Sequence, residues 1–360
     1  MSGTPSRRAS VCASDMVLWT IWEVSLALAA TSIIVMLALV LRRMVQMRID
    51  ARTEKRRTAT SAALLAFLDG SADQAAVLAA AGGRSAIVGD VVFRMREIVR
   101  GEDAVRLVAV ARSVGEFERT ARRLRHLIPA VRAAAARRLA IFGADAVPEL
   151  EARLRDEDLA VRMAAAIELT EMGNGPSLDL LAEALSIGDG NQSEDLHKLF
   201  RPAVAADVAR AIRMLEDEWM PDALRLLLID GLGHAGALQA LPALSAVARN
   251  GSSALRAEAL RALALLGHPG AASIVIDALA DERWWVRAQA ANTARRIGIV
   301  EAIEPLCRLL DDEHWWVRFR AAEALSDLGG EARATLTAAS RKAGRAGEVA
   351  QLVLAEKGVA

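Results

Sequence analysis

The 360-residue chain has no net charge, with 45 basic and 45 acidic side chains, and is 53% apolar with no tyrosine. That neutral balance argues against an obligate nucleic-acid binder, whose electrostatic footprint is a basic excess. The two cysteines, Cys12 and Cys307, lie far apart and give no disulfide framework or metal-ligand spacing, which fits a reducing compartment. The charge is uneven: residues 42–140 carry 20 basic and 10 acidic side chains, residues 141–280 carry 11 and 21.

A tail, 1–15, precedes the first strong signal. From Met16 to Leu41 the only charge is Glu23, and Val24 to Leu41 is an unbroken 18-residue apolar run. This predicts a transmembrane helix over 16–42. Trp19 and Trp22 stand at its N-terminal side, where an interfacial aromatic belt would place them. Arg42, Arg43, Arg48, Arg52, Lys55, Arg56 and Arg57 follow it, against two acidic residues over 42–60. The positive-inside rule then puts the N-terminus outside and the rest of the chain in the cytoplasm, at a bacterial inner membrane. A cleaved signal peptide is the competing reading, with Ala27-Leu-Ala29 as its cleavage site. The apolar run, however, continues to Leu41 and ends in arginines, as a stop-transfer segment does.

Residues 43–60 read as a basic juxtamembrane helix, suited to anionic headgroups. Residues 61–128 read as Ala-rich helices ending at Gly70, Gly83, Gly101 and Gly115, a divergent N-terminal cap. Beyond them a period appears. Asp281-Glu-Arg-Trp-Trp-Val-Arg287 recurs 31 residues on as Asp312-Glu-His-Trp-Trp-Val-Arg318. The apolar-Arg pair continues upstream at Leu255-Arg256 and Leu224-Arg225, then at Val161-Arg162 and Val131-Arg132. One marker is missing near residue 193, where the polar stretch 186–200 reads as an irregular insertion. Val317, Ala321, Ala324 and Leu328 repeat at helical spacing, as do Leu255, Ala259, Ala262 and Leu266. Each stripe ends in a glycine suited to a left-handed cap. Pro202 and Pro221 sit where helices would begin. Each unit is therefore two helices around an Asp-bearing turn, and neither helix buries its stripe alone. Stacking does so, and the prediction is an all-α solenoid of period about 31 over 129–345, with a cap over 346–360.

The turn Asp (Asp158, Asp281, Asp312), the apolar-Arg pair, the small residues after it and the closing Gly resemble the HEAT repeat family in its short bacterial, phycobilin-lyase-like form. The resemblance implies a structural ladder in which the turn Asp and the helix Arg pair between neighbouring repeats. That role falls on Asp281, Arg287, Asp312 and Arg318.

Catalytic chemistry finds little footing. His126, His197, His234, His268 and His314 never pair at metal-ligand spacing and read as surface or turn positions. There is no nucleophile turn and no phosphate loop. Acid pairs such as Asp156 with Asp158 fit helix ends. No metal, cofactor or catalytic residue is expected, and an enzyme is not the favoured reading. The interaction candidates are Trp284, Trp285, Trp315 and Trp316, at the start of successive helices, with Trp219 a third position; inter-repeat packing of the rings is the competing account. The favoured function is a membrane-tethered cytoplasmic scaffold that binds a protein partner. Resemblance to membrane-anchored HEAT proteins suggests a membrane glycosyltransferase of an envelope polysaccharide system. Alternatives are a phycobilin-lyase-like protein, and a solenoid binding nucleic acid through its basic 84–138 region.

Overall fold

The computed structural model describes residues 6–185 and 193–358, with side chains at Trp22, Leu26, Leu28 and from Thr31 onward. The described residues form helices and turns with no strand. The chain divides into two compact units, Met1–Glu118 and Arg119–Ala360.

The first unit holds α1 (Ser6–Leu68), α2 (Gln74–Ala80), α3 (Ser85–Arg96), α4 (Gly101–Ser113) and the start of α5 (Glu116–Arg123). Among the described side chains of α1, those of its C-terminal turns enter the core: Thr60 and Leu64 are fully buried, and α2, α3 and α4 pack against the helix. Residues 31–50 are exposed throughout. The expected spanning segment, 16–42, lies within α1. Its side chains at 16–21, 23–25, 27, 29 and 30 lie outside the described residues, and among the described residues no single helix is long and apolar enough to cross a membrane. Arg56 and Arg57 depart from the membrane-surface expectation. Arg57 pairs with Asp90 at 3.3 Å, and Arg56 packs over Gly82. Gly101 opens α4 instead of closing the helix before it.

In the second unit, α6 (Pro129–Leu139), α8 (Leu159–Glu171), α10 (Glu194–Ala206), α12 (Asp222–His234), α14 (Ser253–Leu266), α16 (Trp284–Ile297), α18 (Trp315–Leu328) and α20 (Arg345–Glu356) stack each on the next. A second layer pairs with them: α7 (Val147–Arg153), α9 (Leu178–Leu185), α11 (Val208–Glu216), α13 (Leu241–Asn250), α15 (Ala272–Ala278), α17 (Ile303–Leu309) and α19 (Gly330–Ala339). The stripes fill the seam, with Leu255, Ala259, Ala262, Val317, Ala321 and Ala324 fully buried. Alanine lets the helices approach closely, and the larger Leu and Val side chains supply most of the burial energy, about 1.5–3 kcal/mol each. Gly267 and Gly298 end α14 and α16 at φ +65° and +83°, a conformation side-chain-bearing residues rarely adopt.

The expected insertion at 186–200 is only partly irregular. Residues 186–192 lie outside the described residues, but Glu194 to Phe200 are the first turns of α10, which packs between α8 and α12. Pro202 lies inside α10 and not at its start. Proline there forgoes one backbone hydrogen bond. Burial of Leu199, Phe200 and Val204 on the two flanking helices outweighs that loss. Pro221 does stand directly before α12.

Candidate docking surface

The turns before α16 and α18 are each built around one aspartate and one arginine. Asp281 accepts the backbone N–H of Arg283 at 2.8 Å, closing the entry to α16. The same carboxylate is clamped from the preceding repeat by Arg256, through Nε at 2.8 Å and Nη2 at 2.9 Å. Asp312 repeats the pattern, accepting His314 N–H at 2.9 Å and Arg287 at 2.8 and 3.0 Å. Arg287 also donates through Nη1 to the carbonyls of Asp281 and Glu282, so it braces its own turn while holding the next. Bidentate guanidinium–carboxylate pairs fix orientation as well as distance.

Arg318 differs from the ladder role that resemblance implies. It donates to the carbonyls of Asp312 and Glu313, meets no carboxylate, and keeps a buried Nε without a partner. The position one period on from Asp312 is Ala343. At the other end Arg132 pairs with Asp156, at 3.0 and 2.7 Å, and not with Asp158, which instead caps α8 through Ala160 N–H.

The rigid turns present the tryptophans as the first residues of α16 and α18. Trp284 is half-buried and stacks on His314 of the next repeat at 5.3 Å between centroids. It meets Trp285 edge-on at 5.8 Å, and Arg283 lies over the Trp285 ring. Trp315 stacks on Phe319 at 5.0 Å and meets Trp316 edge-on at 4.8 Å. Trp285, Trp315 and Trp316 are 37%, 43% and 52% exposed. One ring of the first pair is thus shared with the neighbouring repeat. Both rings of the second stay open, because the residue one period after His314 is Arg345, not a ring. Glu282 and Glu313 stand exposed beside the rings. Trp219 is 94% exposed on the turn before α12, two repeats earlier, and makes no ring contact with the four.

A second cluster was not anticipated. Asp230, on α12, is 1% exposed and receives Arg201 from α10 at 2.7 Å and Arg261 from α14 at 2.6 Å. His197 Nδ1 lies 2.9 Å and His234 Nδ1 3.2 Å from its carboxylate oxygens. His197 therefore serves a buried acid, while His234, exposed at the end of α12, has its Nδ1 2.9 Å from the Asp230 main-chain carbonyl. Burial pushes the Asp230 carboxyl upward, but the hydrogen bonds from Arg201, Arg261 and His197 outweigh it and hold the group well below the ordinary carboxylate range. The sequence signal was available: one acid inside the apolar run Leu226-Leu-Leu-Ile-Asp-Gly-Leu232. Among the described residues no group of three or more His, Cys, Asp or Glu is placed to hold a metal ion.

The stacked helical hairpins, their turn ladder and their closing glycines define a helical-repeat protein. The family model for HEAT repeats matches residues 118–191, 214–294 and 274–355, more than half of the chain, which belongs to that family. Among curated proteins no sequence matches. Among solved structures, human deoxyhypusine hydroxylase in complex with glycerol is 20% identical, over 78% of this chain and 98% of that one, with a TM-score of 0.32. An engineered protein is 17% identical over 76% and 85% of the two chains, TM-score 0.39. The CpcE–CpcF complex of phycocyanin lyase from Nostoc sp. is 19% identical over 76% and 90%, TM-score 0.26. None of these likenesses carries a function to this chain.

Proposed function

We propose that the protein is a scaffold that anchors at a membrane through α1 and engages a protein partner through the tryptophan surface of α16 and α18. The observation that carries this reading is three exposed tryptophans on two adjacent repeats, held by turns that their own arginines and aspartates brace. Tryptophan and arginine dominate the energetics of protein interfaces, and contiguous exposed apolar surface marks interaction sites. The exposed apolar run Ile33 to Leu41, followed by Arg42 and Arg43, supports the anchor, with the second unit on the cytoplasmic side of a bacterial inner membrane. The resemblance to membrane-anchored HEAT proteins makes a membrane glycosyltransferase the first partner to look for.

The test compares proteins co-purified from detergent-solubilised membranes with the natural chain and with a Trp285→Ser/Trp315→Ser/Trp316→Ser variant. Loss of a defined partner, with helix content and melting point unchanged, is the expected result. Retention of the same partners by a folded variant would remove this surface from the function.

A further inference from the structure

We propose that Arg225 heads a binding site for a carboxylate, formed where the turn ladder of the second unit lacks its own acid. The argument comes from comparing repeats within the chain. Arg132, Arg256 and Arg287 each clamp an aspartate of the next turn with two hydrogen bonds, and the three carboxylates, Asp156, Asp281 and Asp312, are 4%, 11% and 7% exposed. Arg225 stands 31 residues before Arg256 and is covered to the same degree, with its side chain 18% exposed. The residue one period before Asp281 is Asn250, which is exposed and, among the described residues, makes no side-chain hydrogen bond to Arg225.

No neighbour replaces the missing acid. Asp222 comes only to 3.9 Å of Arg225 Nη1, and its other oxygen accepts the Ser252 hydroxyl at 2.7 Å. Gly251 has no room for a side chain, since a Cβ there would lie 2.8 Å from the Val247 carbonyl. The Nε of Arg225 is buried with no hydrogen-bond partner. A buried N–H left without an acceptor is costly, so the site favours whatever supplies one to the Arg225 Nε.

Arg225 lines a cavity of about 530 Å³ between α11, α12 and α13. Leu215, Pro242, Ala246 and Val247 give it apolar walls, and Glu216 and Glu218 also line it. These features select the ligand. The planar fork of arginine matches a carboxylate, as three other turns of this chain demonstrate. The walls accept a short aliphatic body. The two glutamates disfavour a dianion such as phosphate, and require the part that leaves the cavity to be neutral or cationic.

The experiment uses the full chain purified in detergent and two probes, butyrate and the blocked peptide acetyl-Ala-Asp-Lys-Ala-amide, with binding read by titration calorimetry. Butyramide and the Asn-for-Asp peptide are the controls. At least one carboxylate probe should bind and neither control should. Arg225→Met should weaken binding at least tenfold. Asn250→Asp is the sharper variant, because it supplies the internal acid: it should raise the melting point and also weaken the probe at least tenfold. Binding of the peptide alone would place the ligand in a polypeptide segment; equal binding of butyrate would place it among small carboxylic acids. If neither probe binds the natural chain, or if Asn250→Asp leaves binding unchanged, the proposal falls and Arg225 is only an interrupted rung.

Discussion

Two acids show how burial and its partners lead to opposite chemistry. Glu168 on α8 is half-buried beside Met163, Ala164 and Ile167 and forms no ion pair. Burial raises its carboxyl to about 7, and Glu171 adds to the rise while Arg137 opposes it. A carboxyl whose folded value lies above its unfolded one binds more protons when folded. Its contribution is therefore most favourable below the unfolded value near 4.5 and is lost as pH rises through about 7. Glu168→Gln should leave the melting point unchanged at pH 4.5 and raise it at pH 8. The half-exposed position lets solvent screen the effect, so the gain should stay near 1 kcal/mol, a few degrees. A thermal melt at both pH values decides it, and equal shifts at the two would contradict it. Asp230 is the reverse case: burial pushes it up, but hydrogen bonds from Arg201, Arg261 and His197 lower it. Its stabilising share is full above the unfolded value and is lost only in strong acid. Asp230→Asn keeps the shape but removes the charge between Arg201 and Arg261, leaving Glu258 beside Arg261 as the remaining carboxylate. It should cost about 2–3 kcal/mol at pH 7, less than a fully buried pair because both arginines reach water. A chemical denaturation midpoint that does not move would show that the cluster contributes nothing.

At the scale of the helix, α12 illustrates a conflict between propensity and packing. Gly231 and Gly233 sit inside a helix, where alanine is ordinarily better by about 1 kcal/mol. A Cβ on Gly231 would lie 2.7 Å from Val204 Cγ2, and one on Gly233 would lie 2.9 Å from the Ala262 Cα. These contacts are with a stiff β-branched side chain and with backbone, so neither yields cheaply. Overpacking of this kind costs about 1–3 kcal/mol and outweighs the helical gain. Gly231→Ala should therefore destabilise, and Gly231→Ala combined with Val204→Ala should recover part of the loss; an additive double variant would sink the explanation. The period of 31, the stripes and the closing glycines are local patterns, and they gave the second unit's helix pairs and the turn residues Asp281, Arg287 and Asp312. The Asp230 cluster was legible only as one acid inside an apolar run, because its members come from three helices and only Arg261, 31 residues after Asp230, falls on the period. The helix at α10 was obscured because its marker pair is absent and Pro202 reads as a helix start although it lies inside. The departure at Arg318 follows from the same limit: a pair role read from one repeat says nothing about whether the next repeat supplies the acid.

At the scale of the whole molecule, the function proposed here depends on α1. Ile34, Val35, Met36, Leu37, Leu39 and Leu41 are each more than half exposed, a run of apolar surface that water does not favour. The same helix carries Arg42, Arg43, Arg48, Arg52 and Lys55 exposed just beyond it, and among its described side chains those of the last turns contribute to the core of the first unit. If a bilayer takes up that run, the full chain should sediment with membranes and resist carbonate extraction, while residues 58–360, which keep Thr60 and Leu64, should stay in the supernatant. Charge placed in the middle of the run gives the quantitative form. An aspartate at the centre of a spanning helix costs about 2.5–3.5 kcal/mol on insertion scales. Val35→Asp with Leu39→Asp should then oppose insertion by about 5–7 kcal/mol, a shift of more than a thousandfold toward the supernatant. Arg42→Ala should leave the distribution unchanged, because a single flanking charge bears on orientation more than on insertion. A double-aspartate chain that still sediments and resists carbonate would mean that another part of the chain holds the membrane. A natural chain that remains soluble would instead require the apolar run to be covered by protein, either a partner or a second copy, and the tryptophan surface would then belong to an assembly formed away from the bilayer.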